Sequence, residues 1–222
     1  AIKRVCKESN IDPKKIISIG ISYQMHGLVI VDKNGESLRD SIIWCDSRAV
    51  NIGNDAYEKL GEDKCMTHLL NSPGNFTASK LKWVKENEPE VYEKIYKYML
   101  PGDFIAYKLS GEINTTRNGL SEGIIWDYKN NEIANWLLDF YGINPNLTPD
   151  LVDNFTNQGA TNSKSSKETG LNIGIPITYR AGDQPNNALA LNVFDNGEVA
   201  ASGGTSGAVS YTHLTLPTSI QV

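Results

Sequence analysis

The chain has 222 residues, with 21 lysines and arginines against 26 aspartates and glutamates, a net charge of -5 and no run of basic residues. That length is enough to bury a full core, whereas the charge balance argues against nucleic acid or an anionic membrane as a partner, because both need a basic footprint. No stretch of 18 apolar residues exists to span a bilayer, and the expected location is cytoplasmic. Cys6, Cys45 and Cys65 match no zinc or disulfide spacing and read as free thiols in a reducing compartment.

The opening "AIKRVCKESNIDPKK" is polar, with neither an initiator methionine nor the apolar centre of a signal peptide, and reads as a start in mid-domain. Three strands are expected next, in "IISIGIS" (16–22), "LVIVD" (28–32) and "SIIWCD" (41–46), with Asn34-Gly35 turning a tight hairpin. If 41–46 is a strand, its two-residue period sends Trp44, Asp46 and Arg48 to one face. Ala49, Ile52, Ala56 and Leu60 have helical spacing, and Gly61 ends that helix.

From Thr77 the pattern is mostly helical. Leu81 and Val84 mark one helix, Pro89 starts a second through Val91, Ile95 and Met99, and a third runs from Pro101 to Gly111. "TTRNGLSEGIIWDYKN" reads as a loop and a short strand, "IANWLLDFYG" as a helix, and 143–165 as a surface connection. "PITYRAGD" is a strand running into a turn at Gly182, followed by a helix over "QPNNALALNVF". Sheet followed by helices is an α/β or α+β arrangement.

"GEVAASGGTSGAVS" reads as two strands joined by a glycine-rich turn. Gly204, Thr205, Ser206 and Gly207 in that turn can hold an anion on backbone N–H groups, and a plain hairpin that needs glycine fits equally well. Asp183 looks like a buried acid and equally like an ordinary helix N-cap ahead of Pro185. His26, in the loop "YQMHG", is one of three histidines, and a lone histidine has a structural reading too. Trp44, Asp46 and Arg48 on one face would suit a polyol, or form a surface ion pair beside a half-buried indole.

The order and wording of these stretches resemble a known family. "GISYQMHGLVIVDKNGESLRDSIIWCDSRA", "NSPGNFTASKLKWVKENEPEVYEKI", "MLPGDFIAYKLSGEI" and "AGDQPNNALALNVFDNGEVAASGGTSGAV" together resemble the FGGY carbohydrate kinases, in their xylulokinase branch, from about Ile16 to about Ser210. The resemblance implies a partial actin-like, ribonuclease-H-like α/β fold. It implies an ATP-dependent sugar kinase moving the γ-phosphate of ATP to a ketose hydroxyl, with D-xylulose to D-xylulose 5-phosphate as the leading reaction. Asp183 would be the catalytic base. Gln24, Met25, His26 and Trp44 would form the sugar site with Asp183, and Gly204, Thr205, Ser206 and Gly207 would hold phosphate.

Mg²⁺ is expected to travel on the substrate phosphates, with no protein metal site. The resemblance divides the chain into a sugar-binding domain over 1–177 without its first strands, the start of an ATP-binding domain over 178–210, and a tail over 211–222 that reads as foreign sequence. The family's first phosphate loop and adenosine site have no counterpart, so the chain alone is expected to be inactive, and a homodimer of the full-length protein is left open. Thr116 and Asn118 depart from the family's usual Asp and Ser. The alternatives are a non-catalytic sugar-binding or scaffold protein of the actin-like superfamily, or a kinase for another ketose or polyol.

Overall fold

A computed structural model of the chain describes residues 1–203 and 207–211, those beyond 201 by their backbone alone. Helix α1 (Ile2–Glu8) and a short turn at Pro13–Lys15 lead into β1 (Ile19–Tyr23) and β2 (Val29–Val31). β2 is buried on both faces: Leu28 and Ile30 enter the main core, while Val29 and Val31 pack with Met99 on the other side, as a two-residue period requires. The Asn34-Gly35 turn forms as expected. Gly35 sits at φ +76 with its N–H on the Asp32 carbonyl, and the Asp32 N–H reaches the Glu36 carbonyl at 3.0 Å.

The strand expected over 41–46 does not form; only Ile42 bridges to Leu28. Side chains capture the backbone groups that a sheet ladder would use. Gln24 Oε1 accepts from the Trp44 N–H at 2.8 Å, Lys80 Nζ donates to the Ile43 carbonyl at 2.9 Å, and Asn75 Nδ2 donates to the Asp46 carbonyl at 2.6 Å. With those groups satisfied, pairing offers no further gain. Trp44, Asp46 and Arg48 therefore share no strand face, and the Arg48 guanidinium lies over the Trp83 ring, 4.6 Å from its centroid.

Helix α2 (Val50–Leu60) ends at Gly61 as expected, and α3 (Glu62–His68) and α4 (Thr77–Asn87) follow. Past a single turn, α5 (Pro89–Tyr92), the chain becomes β3 (Lys97–Met99), antiparallel to β2, where a continued helix was expected. Val91, Ile95 and Met99 do have helical spacing, but the buried β2 edge needs hydrogen-bond partners and the Val31 carbonyl takes the Tyr96 N–H at 2.8 Å. Helix α6 (Pro101–Ser110) starts at its proline and stops at Gly111.

After β4 (Asn114–Thr116) the expected loop is a helix, α7 (Arg117–Glu122), because the Thr116 hydroxyl caps it by accepting from the Gly119 N–H at 3.1 Å. β5 (Trp126–Asp127), β6 (Glu132–Ile133), α8 (Asn135–Tyr141), β7 (Asp150–Val152) and α9 (Ser163–Thr169) complete the middle of the chain, so 143–165 is more ordered than a plain connection. β8 (Ile177–Gly182), α10 (Asp183–Ala190), β9 (Val199–Gly203) and β10 (Gly207–Tyr211) close it, the last two as an antiparallel pair.

β1 and β8 run parallel, with Tyr23 beside Gly182. Parallel strands end at the same edge, so the Gln24–Gly27 loop and the start of α10 emerge together. The carboxyl ends of parallel strands are where α/β folds bind ligands. The expected domain division after residue 177 falls within β8. The main core lies between α4, α7, α8 and β2, around Ile30, Leu81, Tyr98, Leu120 and Leu138. Among the described residues, no helix is long and apolar enough to cross a membrane.

Candidate active site

The loop after β1 holds one of the non-glycine residues of the described chain with a positive φ. His26 has φ +63, in the left-handed region that a non-glycine residue enters at a cost of about 1–3 kcal/mol. Three contacts hold it there. Its Nδ1 lies 2.8 Å from the Glu122 carbonyl, its own carbonyl accepts from Lys80 Nζ at 2.9 Å, and its ring meets Phe76 edge-on with centroids 4.4 Å apart.

A carbonyl oxygen only accepts, so Nδ1 carries the hydrogen and, in the neutral ring, Nε2 is left as an acceptor. Burial lowers the His26 pKa below its ordinary value, with the Lys80 charge adding to that and the Glu122 carbonyl and Asp183 charge opposing it. The ring is therefore neutral near pH 7. Lys80 is fully buried, and burial brings its ammonium down to about 8, against the pull of Asp46 and Cys45. It staples the His26 loop to the 42–46 segment.

A cavity of about 400 Å³ opens beside this loop, and Met25, His26, Phe76, Ser121, Glu122 and Pro185 are among the residues around it. Met25 enters the corner where β8 meets α10, and a Cβ on Gly182 would stand 2.2 Å from Met25 Cγ and 2.9 Å from Glu122 Oε2. Only glycine fits there. Glu122 Oε1 accepts from the Gly182 N–H at 2.8 Å. Its Oε2 is buried without a hydrogen-bond partner, and the Tyr23 hydroxyl lies beside the carboxyl in poor hydrogen-bond geometry.

Burial raises the Glu122 carboxyl to about 7; the Gly182 N–H and Tyr23 pull it down, and the charges of Asp103 and Asp183 push it up. Behind it, Arg180 and Asp103 are fully buried, with Nε and Oδ1 3.5 Å apart, a Coulombic contact too long for a good hydrogen bond. Arg180 also donates to Asn114 Oδ1 at 2.7 Å, and Asp103 accepts from the Thr115 hydroxyl at 2.9 Å.

Asp183 is the first residue of α10, with Gly182 as the N-cap, so it is not the cap itself. It is exposed where the sequence made it look buried: no α10 residue is buried, and the helix's first turn projects its acid outward. Its charge nevertheless acts on both His26 and Glu122. Met25 and His26 thus share one cavity; Asp183 is not among the residues around it, though Pro185, two positions further on, is.

Gln24 and Trp44 hold each other through the Trp44 N–H, and Trp44 is 57 % exposed. Neither is among the residues around the cavity. Gly204, Thr205 and Ser206 lie outside the described residues, and Gly207 begins β10. Most of the 211–222 tail also lies outside them. All three cysteines are free thiols.

Glu122 and Lys80 were missed in the sequence. Each carried a signal: Glu122 interrupts an apolar run in "GLSEGIIW", and Lys80 falls on the same helix face as Thr77, Leu81 and Val84. Among the described residues no group of three or more His, Cys, Asp or Glu side chains stands together to hold a metal ion. A divalent cation carried on substrate phosphates is compatible with that donor set.

Residues 1–190 match the FGGY family of carbohydrate kinases, N-terminal domain. A xylulose kinase of Staphylococcus xylosus is 31% identical over 193 residues, which is 86% of this chain and 40% of that protein. The crystal structure of a "xyloylose kinase" from Brucella ovis superposes with a TM-score of 0.85 at 26% identity, over 94% of this chain and 43% of that one. A gluconate kinase from Lactobacillus acidophilus gives 0.83 at 25% identity, over 94% and 42%. The chain therefore spans about two fifths of the length of these relatives.

Proposed function

Because the chain belongs to the FGGY family of carbohydrate kinases and shares their actin-like fold in part, we propose that it carries the sugar side of an ATP-dependent kinase that phosphorylates a ketose, D-xylulose first among the candidates. One observation carries this reading. The cavity beside Met25 includes a neutral His26 whose Nε2 is an acceptor for a sugar hydroxyl, and the Asp183 charge acts on that ring.

In the proposed reaction a sugar hydroxyl gives its proton to the Asp183 carboxylate as its oxygen attacks the γ-phosphorus of ATP. The bond from that phosphorus to the bridging oxygen breaks, and ADP leaves with the electron pair. His26 orients the sugar and does not carry the proton. Its Nδ1–H is already committed to the Glu122 carbonyl, and burial opposes its protonation. Gln24 and Trp44 are assigned to the wall behind the loop, and the turn over Gly204–Gly207 to the phosphate. Mg²⁺ would supply charge neutralisation on the nucleotide.

The test is an assay of the full-length protein with ATP against D-xylulose, other ketoses, polyols and gluconate, repeated with Asp183→Asn. Turnover should fall by a factor of about 10² or more, within the range typical of a general base, while sugar binding changes less. Turnover within a few-fold of the unsubstituted protein would return Asp183 to the role of a helix-terminal acid. Phosphorylation of gluconate alone would move the substrate class.

A further inference from the structure

Glu122 joins both parts of the proposed site. Its backbone carbonyl holds His26 Nδ1 at 2.8 Å, and its side-chain Oε1 holds the N–H of Gly182, the residue before Asp183, also at 2.8 Å. It is 6% exposed, lies at the cavity, and keeps Oε2 buried without a partner. We propose that Glu122 is a positioning residue that couples the His26 loop to the Asp183 corner and makes the site responsive to pH. This rests on the kinase reading of the same cavity.

The coupling is geometric. Glu122 ends α7, which is anchored at its start by the Thr116 cap and buried at Leu120. A shift of that end moves two contacts at once, with His26 96 positions away and with Gly182 60 positions away. Neither contact has slack, since Met25 and Glu122 Oε2 already fill the space where a Gly182 side chain would stand.

The groups that face this carboxyl decide its charge. They are Tyr23 from β1, His26 from the following loop, Asp103 from α6, Tyr179 and Arg180 from β8 and Asp183 from α10. Two of them, Asp103 and Asp183, are carboxylic acids, and the one arginine is engaged with Asp103 and Asn114. Burial is the largest influence and brings the carboxyl to about 7. Below that pH Glu122 is neutral and its carbonyl oxygen serves Gly182. Above it, a second negative charge stands beside Asp183, where the substrate and its incoming phosphate must sit.

The experiment compares the unsubstituted full-length protein with Glu122→Gln and Glu122→Ala. Readouts are kcat and KM for D-xylulose from pH 5.5 to 8.5, with carbon NMR of the glutamate carboxyls and nitrogen NMR of Gly182 and the His26 ring. The expected result has three parts. A glutamate carboxyl titrates with a midpoint near 7 and vanishes in Glu122→Gln; the step in KM near that pH is lost in the same variant; and Glu122→Ala raises KM at all pH values and shifts Gly182 and His26 together, with the glutamine variant recovering the KM at pH 6.

A KM step that survives in Glu122→Gln, or an alanine variant with unaltered KM, overturns the proposal. If the unsubstituted protein phosphorylates no sugar, the kinase reading fails by itself. The coupling is then judged by NMR: Gly182 and His26 signals that stay unmoved in Glu122→Ala, or no glutamate titrating above about 6, overturn it too.

Discussion

Two carboxyls of this chain are both shielded from solvent and behave in opposite ways. Asp127 on β5 is fully buried and accepts from His68 Nδ1 at 2.8 Å, the Asn130 N–H at 3.0 Å, Asn130 Nδ2 at 3.1 Å and Trp136 Nε1 at 2.9 Å. Burial alone would raise its pKa, yet the hydrogen bonds from Asn130, His68 and Trp136 hold it below the usual aspartate value. Glu122, 6% exposed, receives one good hydrogen bond, from Gly182, and stands among other acids. Burial pushes both carboxyls up; the donors aimed at Asp127 together outweigh it, and the one good donor at Glu122 does not. Asp127 works as an ionised clasp holding α3, the β5 hairpin and α8 together, and Glu122 as a group that titrates.

That contrast is tested most severely at Asp127. Asp127→Ala leaves four donors without their acceptor and should cost about 3–5 kcal/mol of stability at pH 7, the range for breaking a buried charged network, read from urea unfolding. An aspartate with a lowered folded pKa contributes stability that is present above its unfolded value and lost as pH falls through the folded one. The deficit should therefore shrink in strong acid. A loss under about 1 kcal/mol would mean that the four hydrogen bonds are no better than those with water.

Glu122→Gln should act in the opposite sense. The Glu122 pKa is raised, so its contribution is fully present below the ordinary glutamate value and is lost as pH rises to about 7 and beyond. The glutamine variant should gain on the unsubstituted protein between about pH 4.5 and 8, by an amount on the order of 3 kcal/mol. A stability difference that does not change across that window would erase the distinction between the two carboxyls.

The smallest effect sharpens the donor argument. Trp136→Phe removes one of the four donors and the indole under the Lys64 ammonium, which lies 4.2 Å from its centroid. A loss of about 1.5 kcal/mol is expected, the lower end for a hydrogen bond to a charged group, because three donors remain. NMR should also show the Asp127 carboxyl titrating at a higher pH than in the unsubstituted protein. If its titration stays put, His68 and Asn130 hold the charge without help.

The sequence by itself determined whatever depends on neighbours along the chain. Helix α2 with Gly61, α6 between Pro101 and Gly111, the turn at Asn34-Gly35 and the glycine before Asp183 were all legible, because capping, turn formation and amphipathic spacing are local chemistry. The family resemblance was legible for the same reason, being carried by contiguous words such as "YQMHG" and "AGDQPNN". The tertiary structure decided what depends on distant partners. Residues 97–99 became a strand because β2 had an edge to fill, and 41–46 did not, because Gln24, Lys80 and Asn75 took its backbone. Asp183 is exposed, and Glu122 lies buried against Gly182 from 60 positions away. No local pattern records which donors will reach a carboxyl across the fold, and those donors decide whether a buried carboxyl keeps its charge.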